Sequence, residues 1–212
     1  MPYKYKSIFK QTANWRNLHL YQKSNALYQL TVVFCKKFLP QYGDRTVDQM
    51  VQAARSGKQN IVEGCEDGKT STEMELKLIN VARASIGELR EDYEDYLKSH
   101  SLPLWDARHP RFDGMLTFCR EHNDYDDYVP LAEKMTDEEF GNMAITLCHI
   151  TDKMMVSYLK YLEERFVTEG GIKERMHSAR TAFRQEQDAR LTALEQENHR
   201  LKSLLRQHGI DY

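Results

Sequence analysis

Apolar residues recur every three or four positions along most of the chain, the spacing that places side chains on one face of an α-helix. The first such run extends from Asn14 to Leu39, and Pro40 and Gly43 follow it as stop signals. We therefore predict an amphipathic helix over residues 14–39. Its apolar positions are Leu20, Leu27, Leu30, Phe34 and Phe38.

A second helix is predicted to begin at Thr46, which forms a capping box with Gln49 so that each side chain satisfies a free backbone N–H of the first turn. Gly64 and Gly68 are predicted to end this helix. A glycine inside a helix costs about 1 kcal/mol relative to alanine, so Gly57 predicts close packing against a neighbouring helix. The apolar positions are Val47, Met50, Ala54, Gly57 and Ile61.

Two further amphipathic helices are predicted over residues 70–98 and 136–167. Each begins with a capping box, Thr70 with Glu73 in the first and Thr136 with Glu139 in the second. The inward positions of the first are Leu78, Ile79, Ala82, Ile86, Leu89, Tyr93 and Tyr96. Those of the second are Phe140, Met143, Leu147, Ile150, Met154, Tyr158 and Tyr161.

The hydrophobic period breaks at about residues 99–135, where prolines and glycines interrupt the chain. Only residues 112–121 are predicted to form a short helix. We interpret the segment as a long insertion that lies over the other helices, with Trp105 and Phe112 as its anchors. Its acidic stretch, residues 124–128, is interpreted as a solvated loop because it lacks the glycine and the terminal glutamate of a calcium loop.

Four long amphipathic helices bury their apolar faces most economically against one another. The sequence therefore predicts an all-α fold, an antiparallel up-down four-helix bundle over residues 1–168 with an additional C-terminal helix. Gly170 and Gly171 form a predicted hinge. Beyond it, residues 169–212 are predicted to be a helical suffix.

The C-terminal helix carries a short heptad repeat that is typical of a coiled coil. Leu191, Asn198 and Leu205 take a positions, and Leu194 and Leu201 take d positions. A lone asparagine at an a position fixes register and favours a parallel pair. In such a pair, Arg190 faces Glu195 and Glu197 faces Lys202 across the interface. The sequence predicts a homo-oligomer through this helix, while docking on its own bundle and binding a foreign protein partner remain alternatives.

Charge is distributed unevenly along the chain although the net charge is only −2. Residues 1–60 carry ten Lys and Arg against two acidic residues, whereas residues 61–140 carry nine against twenty. The basic segment also contains aromatic residues, a mixture that can track phosphates and stack on bases. The candidate nucleic-acid contacts are Lys4, Lys6, Lys10, Arg16, Lys23, Lys36 and Lys37.

Motifs for chemistry are lacking. Bundle metal sites need a Glu-x-x-His motif on each of two helices, and the sequence contains only one such stretch, Glu174 to His177. The four cysteines are too far apart to indicate a zinc site or a disulfide framework. We predict no metal, no cofactor, no small-molecule substrate and no catalytic residue. His149 is interpreted as a packed core histidine, one turn from Asp152. No apolar run is long enough to span a bilayer, and we expect a cytoplasmic protein without membrane association.

The second and third helices contain a pattern of an Asn-Ile-x-Glu-Gly stretch, Asn60 to Gly64, followed by Ser-x-x-Glu-Leu, Ser85 to Leu89. In this pattern the chain resembles the four-helix-bundle family of ribosomal-RNA intervening-sequence proteins, which includes accessory proteins of diversity-generating retroelements. The residues that carry the resemblance are Gln49, Arg55, Asn60, Glu63, Gly64, Ser85 and Glu88. Read structurally, Gly64 closes its helix in a left-handed turn and Asn60 bonds across to a neighbouring helix or a free carbonyl.

Residues 170–176 resemble the suffix domain attached to some members of this family. The resemblance implies a ring-like homo-oligomer, commonly a pentamer, and in the retroelement branch binding to nucleic acid and to a reverse transcriptase. Two hypotheses follow. The protein is either a non-enzymatic homo-oligomeric scaffold or protein-interaction module, or a nucleic-acid-binding accessory protein that uses its basic N-terminal helix.

Overall fold

The computed structural model describes residues 14–40 and 45–209, and every regular element within these ranges is a helix. The all-α prediction is therefore confirmed for this part of the chain. The chain forms two compact units, and within the described residues their boundary lies between Thr168 and Glu169. None of the described helices is both long enough and apolar enough to cross a bilayer.

The predicted first helix consists of two elements. A single 3₁₀ turn, Trp15–Asn17, is capped by the Asn14 side chain, which accepts from the backbone N–H of Arg16 at 3.1 Å. Helix α1 then runs over His19–Phe38. The buried side chains along it include the predicted stripe positions Leu20, Leu27, Leu30 and Phe34.

Helices α2, Arg45–Asp67, and α3, Thr72–Ser99, pack closely. A Cβ atom on Gly57 would lie 2.6 Å from Ile86 Cδ1, so the two helices approach closely at this glycine, as predicted. Further along α2, Gly64 lies against Leu78 and Glu75. The contacts along the two helices occur in opposite order, so their chain directions are opposed.

Two of the predicted helix ends are wrong. Gly64 is helical and α2 continues to Asp67, so Gly64 closes no left-handed turn, and its lack of a side chain serves packing instead. The N-cap of α3 is Ser71, whose hydroxyl accepts from the Met74 backbone N–H at 3.2 Å. Thr70 instead donates to the carbonyl oxygen of Asp67.

Helix α4, Phe112–Glu121, matches the short helix that the sequence predicts. Helix α5, Tyr125–Ala132, was not predicted, and the expectation of an acidic loop at residues 124–128 is wrong. Asp126 and Asp127 lie in its first turn, where negative charge favours a helix. Trp105 is buried, as expected of an anchor, and its indole N–H donates to Glu138 Oε1 at 2.8 Å. Phe112, the other predicted anchor, is only half-buried.

Helix α6, Asp137–Glu169, begins with the predicted capping box. Glu139 donates its backbone N–H to Thr136 Oγ1 at 3.3 Å, and Thr136 donates its own to Glu139 Oε2 at 3.1 Å. At the start of α6, Gly141 packs on Leu97 near the end of α3. Further contacts follow in opposite order along the two helices, so α3 and α6 also run in opposed directions.

An aromatic cluster lies at one end of these helices. The ring of Phe34 on α1 contacts Tyr93 and Tyr96 on α3, each with 4.9 Å between ring centroids, and Phe140 on α6 at 5.5 Å. Tyr93 also donates its hydroxyl to Thr31 Oγ1 at 3.0 Å. The cluster therefore joins three helices that are distant in sequence.

Helix α7, Ile172–Gln207, belongs to the second unit. It begins after Gly170, whose φ of +67° is the left-handed conformation that favours glycine, and Gly171 is its N-cap. No residue of α7 is buried. The helix agrees with the predicted range, and its apolar side chains are exposed or half-buried.

Candidate functional site

Helix α7 presents leucines to solvent along the predicted heptad stripe. The relative exposure of Leu191 is 57%, that of Leu194 is 60% and that of Leu201 is 51%. Burial of a leucine side chain is worth about 1.5–3 kcal/mol, so a row of exposed leucines marks a surface that gains stability when it is covered. We call this stripe, Leu191 to Leu205 with Asn198 at its centre, the leucine face.

The other residues predicted for self-association lie on or beside the leucine face. Asn198 is exposed and Leu205 is half-buried. The carboxylate oxygen Oε2 of Glu197 lies 3.9 Å from Nη1 of Arg200 on the same helix. The remaining charged positions, Arg190, Glu195 and Lys202, are exposed.

Of the basic residues predicted to contact nucleic acid, the four that the structure describes do not form one surface. Lys23 is a correction, because its side chain is buried and its Nζ donates to the carbonyl oxygens of His122, at 2.6 Å, and of Cys119. Burial lowers the pKa of this amine. Lys37 Nζ likewise donates to three carbonyl oxygens, those of Ala132, Glu133 and Met135.

Three of the described candidate contacts are exposed, namely Arg16, Lys36 and Lys37. The guanidinium of Arg16 lies over the Trp15 ring, 4.1 Å from its centroid. Lys4, Lys6 and Lys10 lie outside the described residues. Lys23 is therefore excluded as a phosphate contact. The Lys37 amine already donates to backbone carbonyl oxygens at the end of α5.

The family-motif residues lie along α2 and α3. The prediction that Asn60 bonds to a neighbouring helix or a free carbonyl is wrong. Its side-chain amide bonds within its own helix, donating to the Ser56 carbonyl oxygen at 2.9 Å and to Ser56 Oγ at 3.2 Å. Ser56 Oγ in turn lies 2.9 Å from Ser85 Oγ on α3. This polar network links the two helices. The other motif side chains, Gln49, Arg55, Glu63 and Glu88, are exposed.

A buried carboxylate is the polar feature that the sequence analysis missed. Glu75 on α3 is only 2% exposed, and its Oε1 accepts from the hydroxyl of Tyr158 on α6 at 2.7 Å. Cys65 Sγ lies 3.9 Å from the same hydroxyl. Burial and the neighbouring carboxylate raise the pKa of Tyr158. One signal was present, since Glu75 precedes Ile79 by four residues and so continues the apolar stripe of α3.

All four cysteines, Cys35, Cys65, Cys119 and Cys148, are buried as free thiols. Burial raises the pKa of Cys65 to about 11 and that of Cys119 to about 12. Among the described residues, no group of three or more His, Cys, Asp or Glu side chains is placed to hold a metal ion. Because their pKa values are raised, the Cys65 and Cys119 thiols are poor nucleophiles at neutral pH.

A cavity of about 650 Å³ lies where the start of α1, helix α4 and the middle of α6 converge. His149 lines it and is exposed, which corrects its prediction as a packed core residue. Asp152, one turn from His149, accepts from Arg83 Nε at 2.6 Å. His149 lies beside the buried stripe of α6 rather than on it.

Comparison of the chain with family models, curated proteins and solved structures finds no match.

Proposed function

We propose that the protein is a non-enzymatic, homo-oligomeric helical scaffold that assembles through the leucine face of α7. The single observation that carries this proposal is the exposure of Leu191, Leu194 and Leu201 along one helix with no buried residue. Apolar residues at heptad spacing find a core when an identical stripe faces them. We also propose that the protein acts in the cytoplasm, because its cysteines are buried free thiols, which are usual in cytoplasmic proteins.

The body of the scaffold is proposed to be an antiparallel up-down four-helix bundle of α1, α2, α3 and α6. Opposed directions of α2 and α3, and of α3 and α6, support this arrangement. So does Trp15, before α1, which donates its indole N–H to Glu66 near the end of α2 at 2.9 Å. In this proposal α4 and α5 cover α1, through the bonds of Lys23 and Lys37.

The coiled coil is proposed to be a parallel pair. Asn198 opposite its counterpart can form a hydrogen bond only in one register, which selects pairs at some cost in stability. Arg190 would face Glu195 of the second copy, and Glu197 would face Lys202. Exposed ion pairs of this kind contribute only about 0.2–1 kcal/mol each, so they select the register while the leucines supply the affinity.

Full-length variants test the proposal. Replacing both Leu194 and Leu201 with glutamate places like charges at the proposed seam, and we expect the oligomer seen by light scattering to dissociate to monomers. The matched control replaces Gln196 and Ser203, at outward f positions, with glutamate and should keep the wild-type mass. A monomeric wild type, or equal dissociation in both variants, refutes assembly through the leucine face.

The alternative function is nucleic-acid binding through the basic N-terminal region, as in the retroelement branch of the family that the sequence resembles. The structure weakens the case for this function, because the Lys23 amine donates to carbonyl oxygens within the protein and is not free to contact phosphates. Titration with a random-sequence oligonucleotide tests it. Binding at about 50 mM salt that falls steeply as salt rises would favour this function, since affinity then depends on released counterions.

A further inference from the structure

The cavity between α1, α4 and α6 has an apolar floor. Leu20 and Thr146 are its buried residues, and Leu116, Ile150 and Met154 are half-buried beside them. Its volume of about 650 Å³ falls within the range of about 300–1,000 Å³ that small-molecule sites occupy. A cavity of this size and composition favours an apolar chain or ring as its occupant.

The rim of the same cavity is cationic. Arg120 comes from α4 and Lys153 from α6, and both side chains are exposed. The other titratable residues of the lining are His19, His149, Tyr158 and Tyr161, and no carboxylate is among the described residues that line the cavity. Within the described part of the chain, neither Arg120 nor Lys153 is paired with an acidic side chain. Two cationic side chains from different helices thus converge on an apolar cavity.

The start of α1 adds a second source of positive potential. Leu18, His19 and Leu20 line the cavity and form the N-cap and first turn of this 20-residue helix. Leu18 offers no side-chain acceptor to the backbone N–H groups of that turn. The positive end of the helix dipole therefore lies at the cavity without a capping group to offset it.

We propose that this cavity is a binding site for an anionic amphiphile, specifically an aliphatic carboxylate whose chain lies on the apolar floor and whose carboxylate is bound by Arg120 and Lys153. The inference is independent of the proposed assembly, because every residue of the site belongs to the first compact unit. Its volume of about 650 Å³ suits a single aliphatic chain, and an acidic amphipathic helix of a partner protein is the alternative occupant that the experiment distinguishes.

Isothermal titration of the full-length protein tests the ligand class. Octanoate, decanoate and dodecanoate are titrated below their critical micelle concentrations, beside decanol and decylammonium. We expect affinity to rise about fourfold for each added methylene and decanoate to bind at least tenfold more tightly than decanol. Decylammonium should not bind. Equal binding of decanoate and decanol, or no binding of dodecanoate, would overturn the proposal.

Variants test the location. Arg120→Ala and Lys153→Ala should each weaken decanoate binding about tenfold, because each removes one charge-assisted hydrogen bond. Lys160→Ala, an exposed lysine of the same helix outside the cavity, should leave it unchanged. Ser157→Trp fills the cavity mouth from an exposed position and should abolish binding of every probe. Circular dichroism identifies any variant that fails to fold.

Two results refute the assignment while the protein remains folded. Equal weakening in Lys160→Ala and Lys153→Ala would show that net charge alone attracts the ligand. Binding of an acidic amphipathic peptide, with no binding of dodecanoate, would replace the ligand class by a protein partner. Neither result would bear on the leucine face, whose test is the mass of the oligomer.

Discussion

Tyr158 donates its hydroxyl to Glu75 Oε1 across 2.7 Å and so joins the later part of α6 to the first turn of α3. The carboxylate of Glu75 is almost fully buried, and an ionised group in that position requires hydrogen-bond donors to offset its lost hydration. The pair is therefore a polar link inside an apolar packing layer, where removal of one partner costs more than at the surface.

Tyr158→Phe should lower the free energy of unfolding by about 1–3 kcal/mol, because it removes a donor from a buried carboxylate without changing the shape of the ring. Urea denaturation monitored by circular dichroism measures the loss. Tyr161→Phe, one turn away at a residue that is 52% exposed, is the matched control and should change stability little. Similar losses in the two variants would contradict a specific role for the link to Glu75.

The glycines of α2 and α3 make a second prediction. Gly57→Ala should destabilise the protein by about 1–3 kcal/mol, because its Cβ would lie 2.6 Å from Ile86 Cδ1. Gly87→Ala should instead stabilise it by about 0.5–1 kcal/mol, because nothing lies within 4 Å of a Cβ there and alanine favours the helix.

A double variant separates the steric cause from helix propensity. Ile86→Val removes Cδ1, so Gly57→Ala should be milder in that background than in the wild type. Strict additivity of the two changes, measured by thermal and urea denaturation, would show that contact with Ile86 does not explain the glycine.

The sequence pattern predicted the long helices because periodic apolar positions and capping boxes are local signals. It missed α5 because Pro130 was read as a breaker, whereas the residue lies in the last turn of an eight-residue helix. It placed the end of α2 at Gly64 because glycine commonly ends helices. There the absence of a side chain serves the approach of α3, a tertiary contact that no local pattern shows.

Candidate site residues were harder to predict than helices. Lys23 was assigned to a surface because lysines are rarely buried, and only the structure shows the α4 carbonyl oxygens that accept from it. The positions of the leucine face could be assigned because heptad spacing needs no tertiary information. The cavity could not, since its lining comes from three helices that are far apart in sequence.

Alkaline pH should destabilise the fold. The pKa of Cys65 is raised to about 11, and those of Cys119 and Tyr96 to about 12, chiefly by burial. A group with a raised native pKa contributes full stability below its unfolded pKa and loses it as pH rises through the native value. Stability should therefore be constant to about pH 8 and fall between about pH 9 and pH 11.

The burial of Lys23 acts in the opposite direction, because its lowered pKa adds stability as pH rises towards its unfolded value. A single lysine opposes several thiols and phenols, so the net trend should remain a loss. Urea denaturation at constant ionic strength over this pH range measures it. A free energy of unfolding that stays constant to pH 11 would contradict the assigned burial of the thiols.

Lys23→Met should loosen the segment that contains α4 and α5. The variant keeps the length of the side chain but removes the donor to the His122 and Cys119 carbonyl oxygens, at a cost of about 1–3 kcal/mol. Hydrogen exchange should accelerate most in residues 112–132. Lys36→Met, at an exposed position of the same helix, is the control. Unchanged exchange in α4 would show that other contacts hold the segment in place.

Asn198→Leu tests the register of the proposed coiled coil. Leucine at this a position removes a buried polar group from the proposed seam, so the assembly should resist heat and dilution better than the wild type. The same change removes the hydrogen bond that selects one register, so light scattering after size exclusion should show a broader or larger set of masses. Gln196→Leu, at an outward f position, should produce neither effect. A more stable Asn198→Leu variant with an unchanged single mass would mean that the surrounding contacts, rather than the asparagine, select the number of subunits.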